Sequence, residues 1–282
     1  MKIAVTAEST IDLSKDLLEK FDIKVIPYEV ILDGDAKFDG DITPEEIFAF
    51  VNEKGILPKT TAINEFQYTE FFEGLKKEYD AVIHFALSSG ITSSCSHAQA
   101  AAEKIPNVYI VDTQSLSTGI ALLAIYAREL ANGGEDAETV YEKVLKRVSS
   151  VQASFVIERL DFLYKGGRCN SLQLLGANLL KLRPRIVLKD GKMQSDKKYR
   201  GSMAGVVAKY CQETLAEFNT PDLKRVFITY SSATPEMIAA AKLALSNAGF
   251  KDIYETSTGA TVASHCGANT LGILYLNDGN KK

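Results

Sequence analysis

The chain has 282 residues, of which 46% are apolar and 24% are charged, and its formal net charge is −4. This composition is typical of a globular protein with one large core or two moderate ones, and the acidic balance provides no electrostatic footprint for nucleic acid. No apolar run approaches the roughly 18–20 residues of a membrane span, and the amino terminus lacks a signal-peptide pattern, so we expect a cytoplasmic protein with no membrane span.

Strands and helices alternate through the first half of the sequence. The pattern predicts strands Lys2–Thr6, Lys24–Leu32, Ala81–Leu87 and Val108–Val111, and helices Ser14–Lys20, Ser93–Lys104 and Ser117–Ala131. Two more helices are predicted to begin at Thr43 and Asn64, the first because Thr43 is followed by Pro44 and, at the third helical position, by Glu46. This alternation is typical of a doubly wound, mostly parallel sheet.

The pattern changes after a predicted helix Ala137–Ser150. Strands Gln152–Ile157, Pro184–Leu188 and Lys192–Arg200 are predicted next, the last two joined by Asp190-Gly191, which is a strong hairpin signal. The remaining predicted elements are helices Leu172–Leu182, Ser202–Phe218 and Pro235–Ala248 and strands Arg225–Tyr230, Asp252–Thr256 and Leu271–Leu276. We therefore predict an N-terminal α/β domain at 1–150 and, at 151–282, a C-terminal α/β domain with a mixed, partly antiparallel sheet.

The loop Ser88–Ser94 is the most informative segment for function. It directly follows the apolar run Ala81–Leu87, and five of its seven residues carry a hydroxyl. Ligands of open α/β sheets bind beyond the carboxyl ends of such strands, and hydroxyls beside a helix N-terminus suit an anion with several acceptor atoms. Since the loop contains no lysine, arginine or carboxylate, it favours holding a ligand over transforming it.

Hydroxyl-bearing loops also follow three other predicted strands, at Ala7–Thr10, Asp112–Ser115 and Tyr230–Thr234. Helix capping explains these loops equally well, because serine, threonine and aspartate are preferred N-cap residues. One cap requires one hydroxyl, so the five of Ser88–Ser94 point to more than capping.

Several classes of chemistry lose support from what the sequence lacks. There is no phosphate-binding P-loop, no dinucleotide-binding glycine motif and no G-x-S-x-G elbow. The four cysteines and three histidines show no zinc-ligand spacing, so we expect reduced thiols, no metal and no cofactor. A serine of Ser88–Ser94 with His265 as base remains an alternative as a hydrolase or acyltransferase, but we favour a hydrogen-bonding role for His265. A binding protein for another small anion is a third hypothesis.

The basic turn Lys165-Gly166-Gly167-Arg168 follows a short amphipathic segment that begins at Leu160. Paired glycines permit positive φ and a close approach of the backbone. The turn is either a helix end with basic residues beside it or a rigid surface presented to a partner or a phosphate. Arg200, at the end of a predicted strand, is a second cation with the same two interpretations.

These segments together resemble the DegV family, the fatty-acid-binding proteins that work with bacterial fatty acid kinases. Ala7–Leu13 is similar to its T-D-S-T-A-D-L motif, and Ser88–Ser94 is similar to S-S-G-L-S-G-T. Leu160–Arg168 resembles L-x-Y-L-x-K-G-G-R, the most specific motif, and Arg200 falls where the family has a K-x-R arginine. The motifs P-T-T-S-Q-P-S and H-x-G-P-G correspond to Pro58–Asn64 and His265–Asn269. Departures from the family pattern are Glu8, Ala62, Ile63, Ser93, Ser94, Cys95, Ala268 and Asn269.

The resemblance implies a two-domain α/β protein that holds a long-chain fatty acid between its domains and presents the carboxylate to a separate kinase for acyl-phosphate formation. By this analogy the protein is not itself a catalyst. The residues implied to bind the carboxylate are Thr60, Thr61, Ser88, Ser89, Gly90, Thr92, Ser93 and His265. Those implied to form the presentation surface are Lys165, Gly166, Gly167, Arg168 and Arg200. The resemblance leaves the chain length and saturation of the acid open.

Overall fold

The structure is a computed structural model that describes residues 1–169 and 182–279. Its strands are β1 Ile3–Glu8, β2 Ile23–Ile26, β3 Glu29–Leu32, β4 Asp35–Phe38, β5 Lys59–Thr61, β6 Ala81–Ala86, β7 Val108–Asp112, β8 Val151–Val156, β9 Arg183–Lys189, β10 Lys192–Tyr199, β11 Arg225–Ser231, β12 Asp252–Ser257 and β13 Thr270–Leu276. Its helices are α1 Lys15–Lys20, α2 Pro44–Lys54, α3 Glu65–Lys76, α4 Ser94–Ala102, α5 Thr118–Asn132, α6 Ala137–Leu145, α7 Leu160–Gly166, α8 Met203–Glu217, α9 Pro235–Ala248 and α10 Ala260–Cys266. The predicted helix Leu172–Leu182 lies outside the described residues, apart from Leu182.

A four-stranded parallel sheet forms the centre of the first half, with strand order β2-β1-β6-β7. Every residue of β1 and β6 is buried, as expected when a parallel sheet is covered on both faces. On one face the rings of Tyr68 and Phe72 from α3 pack against His84 of β6. The predicted parallel sheet is confirmed.

A small antiparallel sheet of order β4-β3-β5 was not predicted, and the single predicted strand Lys24–Leu32 is wrong. The chain leaves the parallel sheet after β2, at Pro27, and continues as β3 in the small sheet. Proline has no N–H group for a ladder hydrogen bond, so it interrupts a central strand. Asp33 and Gly34, both with positive φ, form the hairpin between β3 and β4.

The second half contains a six-stranded sheet of order β10-β9-β8-β13-β11-β12. Its pairs are antiparallel except β11 with β12, and Asp190 and Gly191 form the β9–β10 turn with positive φ, as predicted. Helices α8 and α9 pack on one face, and the other face turns toward the four-stranded sheet. The predicted fold class, a parallel α/β unit and a mixed α/β unit, is confirmed.

Two short helices and one helix end differ from the sequence prediction. The predicted helix Ala137–Ser150 ends at Leu145, and a separate 3-10 turn occupies Val148–Ser150. Helix α10 was not predicted, because the residue before it, Gly259, offers no side chain for capping. Its first amides instead donate to two carboxylates from the first half: Gly259 to Asp12 at 2.7 Å and Ala260 to Asp39 at 2.8 Å.

Candidate ligand-binding site

A cavity of about 460 Å³ lies between the inner face of the six-stranded sheet and the carboxyl end of the parallel strands. Buried residues of the six-stranded sheet, among them Phe155, Gly272 and Leu274, line its interior. Exposed residues at the other end include Ser89, Ser93 and Arg168. The cavity therefore has a buried interior whose surface is mostly apolar, although buried residues such as Thr229, Thr258 and Thr270 add hydroxyls to it, and an exposed end that carries hydroxyls and a cation.

Thr60 and His265 meet at the cavity wall although 205 positions separate them in the sequence. The Oγ1 atom of Thr60 lies 2.9 Å from Nε2 of His265, and β5 and α10 supply the two side chains. Among the described residues, Nδ1 of His265 has no hydrogen-bond partner. We assign the ring proton to Nε2, because a buried lone pair without a partner is tolerated better than a buried N–H without one.

His265 is held neutral by its surroundings. Burial lowers the pKa of its imidazole to about 4, and the positive charge of Arg168 acts in the same direction. A neutral imidazole with its proton on Nε2 is a hydrogen-bond donor toward the cavity wall. That N–H donates to Oγ1 of Thr60, which leaves the hydroxyl proton of Thr60 for a ligand carboxylate placed beside it.

The structure explains why both positions between Lys165 and Arg168 are glycine. Gly167 ends α7 with a φ of +69°, in the left-handed region. A Cβ atom on Gly166 would lie 2.9 Å from Nδ1 of His265, so only glycine lets α7 approach the imidazole this closely. Arg168, which follows, donates to the carbonyl of Gly166 at 2.6 Å and lines the cavity. The turn therefore supports the imidazole and places a guanidinium beside it.

The hydroxyls of the Ser88–Ser94 loop have different surroundings. Ser89, Gly90, Thr92 and Ser93 line the cavity. Ser88 is buried and donates instead to the carbonyl of Gly191 at 2.7 Å, in the β9–β10 turn.

Ser89 donates to Asp112 at 2.5 Å, and Thr92 lies 3.2 Å from the Oγ of Ser94. Ser94 also accepts from the hydroxyl of Tyr28, at 2.7 Å, and from the amide of Ile63. The buried Ser94 thus joins the loop to the segment that leads from β5 into α3.

The structure places Thr61, Lys165 and Arg200 outside the cavity lining. Thr61 follows Thr60 on β5 and its hydroxyl donates to Glu29 at 3.2 Å, while Lys165 is exposed on α7. Arg200 lies at the far end of β10, roughly 23 Å along the strand from the cavity residue Met193. There it lines a separate surface groove with two exposed lysines, Lys198 of β10 and Lys209 of α8.

Three carboxylates that the sequence analysis did not assign organise the site. Glu8, fully buried, accepts the Leu87 amide and the Tyr68 hydroxyl, each at 2.7 Å, and so fixes the start of the serine loop. Asp12 and Asp39 cap α10, which carries His265, and burial raises the pKa of the Asp12 carboxyl well above its usual value. Glu8 and Asp12 lie in the Ala7–Leu13 motif, but the hydrogen-bond partners of all three carboxylates are distant in sequence, so the motif does not show what they contact.

The described residues pair no serine with His265 and form no cluster of metal ligands. Across residues 1–169 and 182–279, no serine hydroxyl is hydrogen-bonded to His265. In the same ranges no group of three or more histidine, cysteine, aspartate or glutamate side chains could hold a metal ion. No helix in the described part of the chain is both long enough and apolar enough to cross a membrane.

Fold and site together define a class: an α/β protein with two main sheets and, between them, a largely apolar cavity that is polar at its exposed end. A family profile described as "Uncharacterised protein, DegV family" matches residues 2–278. The chain belongs to the DegV family.

Some similar proteins of comparable length carry names related to lipid binding. A protein of Thermotoga maritima named "Fatty acid-binding protein" is 29% identical, over 96% of each chain. The structure of a fatty-acid-binding DegV family protein from Thermus thermophilus matches with a TM-score of 0.88 and 28% identity, over 98% of this chain and 99% of that one. A DegV lipid binding protein from Thermotoga maritima matches with a TM-score of 0.86 and 28% identity, over 98% of both chains.

Proposed function

We propose that this protein binds a long-chain fatty acid between an N-terminal domain, 1–150, and a C-terminal domain, 151–282, and presents its carboxylate to a separate fatty acid kinase. The observation that carries the proposal is the cavity, whose buried end is largely apolar and whose exposed end has hydroxyls, His265 and Arg168. The relatives named as fatty-acid-binding proteins support the same ligand class.

The acyl tail supplies most of the affinity. Burying some fifteen tail carbons at ~0.8 kcal/mol each contributes about 12 kcal/mol before the costs of association and ordering. Hydrogen bonds to the charged head group add only about 1.5–3 kcal/mol each. The polar residues therefore orient the carboxylate and compensate its desolvation, while the cavity floor holds the ligand.

We assign the head group to the exposed end of the cavity. Thr60, Ser89, Gly90, Thr92, Ser93 and His265 line it and bring hydroxyls, amides and an imidazole N–H to one place. Arg168 adds the positive charge that a carboxylate requires. Thr61 and Ser88 belong to the proposed set as well. The hydroxyls of Thr61, Ser88 and Ser89 must each first release the present acceptor, which is Glu29, the Gly191 carbonyl or Asp112, respectively.

The bound acid is the substrate of the partner in this proposal, and the protein itself carries out no chemistry. The kinase would contact the basic turn Lys165–Arg168 and the exposed Arg200, whose separation from the cavity suits a docking role. We place the system in the cytoplasm, where ATP is available as phosphoryl donor, and the acyl phosphate would supply phospholipid synthesis.

Native mass spectrometry of the freshly purified protein tests the ligand class. We expect one long-chain acid per chain, released on denaturation and identified by its mass. An intact protein that carries no lipid and binds no added fatty acid would refute the proposal. Stoichiometric labelling by a serine-reactive fluorophosphonate, lost in a serine-to-alanine variant of Ser88–Ser94, would establish the enzyme alternative instead.

A reconstituted assay with a fatty acid kinase tests the partner. Arg200→Ala should bind fatty acid as tightly as wild type, because Arg200 lies outside the cavity lining, and should lose acyl-phosphate formation. Equal rates for the variant and wild type would remove Arg200 from the docking surface. No acyl phosphate with wild type and any fatty acid kinase tried would leave a binding protein without this partner.

A further inference from the structure

The cavity floor contains a glycine where its neighbours carry side chains. Gly272 lies in the middle of β13, with Phe155 of β8 and Thr229 of β11 directly opposite it in the neighbouring strands. Thr270 and Leu274 lie two residues away on the same face, and all five line the cavity. A glycine inside a strand weakens the sheet, and it often marks a place where a ligand or another backbone approaches closely.

Space rather than backbone conformation requires the glycine. Gly272 is not among the residues with positive φ, so its backbone is open to any L-residue. A Cβ atom there would lie 2.7 Å from the carbonyl oxygen of Ser154 and 3.0 Å from Cβ of Phe155. Any side chain would push against β8 and raise the floor of the cavity at this point.

Gly272 stands between the two ends of the cavity. Met193 on β10 and Thr229 on β11 both line the cavity, and four strand spacings separate their strands, about 19 Å in all. Both residues are buried, but Met193 is two residues from Gly191, which contacts Ser88 and Gly90 of the serine loop at the exposed end. A chain that starts at the exposed end must cross β13 at Gly272 to reach Thr229.

We propose that Gly272 is the specificity-determining residue that lets the acyl chain cross β13, and that it thereby sets the longest fatty acid the cavity accepts. This inference rests on the proposed function. Phe155, beside Gly272, bounds the same crossing from β8, so the two positions act in opposite directions: a larger residue at 272 shortens the usable cavity, and a smaller one at 155 enlarges it.

The expected effects are changes in chain-length preference rather than uniform losses. Each methylene that can no longer be buried weakens binding about fourfold, and two weaken it about fifteenfold. Gly272→Ala should therefore weaken binding of stearic acid about fifteenfold relative to lauric acid. Phe155→Leu should change the ratio of the dissociation constants for stearic and lauric acid at least about fourfold, in favour of stearic acid.

The test measures dissociation constants of delipidated wild type and variants for saturated acids from lauric to stearic. Gly74→Ala and Phe250→Leu are matched controls, because each makes the same chemical change away from the cavity, in α3 and against the outer face of the six-stranded sheet. Neither control should change the ratio. Thermal unfolding of each variant establishes that it is folded, and if Gly272→Ala is not, Phe155→Leu decides alone.

If the ratio of the dissociation constants for stearic and lauric acid is unchanged in folded variants, or if affinity falls equally for every chain length, the inference is overturned while the proposed function stays intact. Wild type that binds none of the acids would refute the proposed function itself. A shift of the ratio in opposite directions for the two variants, with the controls at the wild-type value, supports Gly272 as the determinant.

Discussion

The partly buried imidazole of His265, whose Nδ1 atom is inaccessible to solvent, predicts a specific dependence of stability on pH. The perturbation is His265→Gln, which keeps a side-chain amide within reach of Thr60 but removes the titrating group. In the folded protein the imidazole pKa is about 4, whereas the pKa of an unfolded histidine is about 6.5. The difference between wild type and variant isolates this group, because other titrating residues such as Asp12 are common to both proteins.

The sign of the effect follows from proton uptake. Above the unfolded pKa the imidazole is neutral in both states and contributes nothing to the pH dependence. As the pH falls toward the folded value, the unfolded chain takes up a proton that the folded one does not, so the wild type loses stability. The loss is complete below the folded pKa and amounts to roughly 3 kcal/mol.

Urea unfolding of both proteins from neutral pH to about pH 4 provides the measurement, with equal m-values as the check on two-state behaviour. We expect the free energy of unfolding of wild type to fall by roughly 3 kcal/mol more than that of His265→Gln over this interval. Two parallel profiles would mean that His265 is solvated and titrates normally, and would refute both its burial and its assigned role.

Three further substitutions test the surroundings of the site. Thr61→Val should weaken presentation of the carboxylate, and unchanged acyl-phosphate formation in the reconstituted assay would count against it. Gly166→Ala places a methyl group 2.9 Å from Nδ1 of His265. Fatty acid affinity, measured by calorimetry, should therefore fall about tenfold, or about 1.4 kcal/mol. Wild-type affinity in this variant would contradict the close packing of α7 against the imidazole. Asp39→Ala leaves the amide at the start of α10 without its acceptor. The free energy of unfolding, measured with urea, should fall by roughly 1–3 kcal/mol. A smaller loss would show that water replaces the carboxylate as acceptor.

The fold was predictable where its signals are local. Apolar runs such as Ala81–Leu87 identify buried parallel strands, and Asp190-Gly191 identifies a hairpin by the φ values that its residues tolerate. The sequence analysis did not divide Lys24–Leu32 into two strands at Pro27, because apolar residues continue on both sides of the proline. Only the missing N–H of Pro27 shows that the ladder of hydrogen bonds ends there. Helix α10 has no local signal, since its caps are Asp12 and Asp39.

The candidate site was also predictable only where its signals are local in the sequence. The rule that ligands bind beyond parallel strand ends led to the Ser88–Ser94 loop, and five of its residues line the cavity. Sequence could not distinguish the hydroxyl of Ser88, which faces the β9–β10 turn, from that of Ser89, because the turn arrives from a hundred residues away. The separation of Arg200 from the cavity likewise depends on the length and direction of β10.

The capping of α10 by the first half affects how the protein is made. During synthesis the N-terminal segments leave the ribosome first and generally fold first. Asp12 and Asp39 are then already in place when residues 259–266 emerge, so the finished N-terminal half serves as the template on which the last helix nucleates. A short helix is marginal by itself, and this one would gain its first turn from a surface translated roughly 10–45 s earlier, at about 5–20 residues per second. The imidazole at its other end consequently reaches its position only after residues 259–266 have been translated, and a product that terminates before them would have the serine loop without His265.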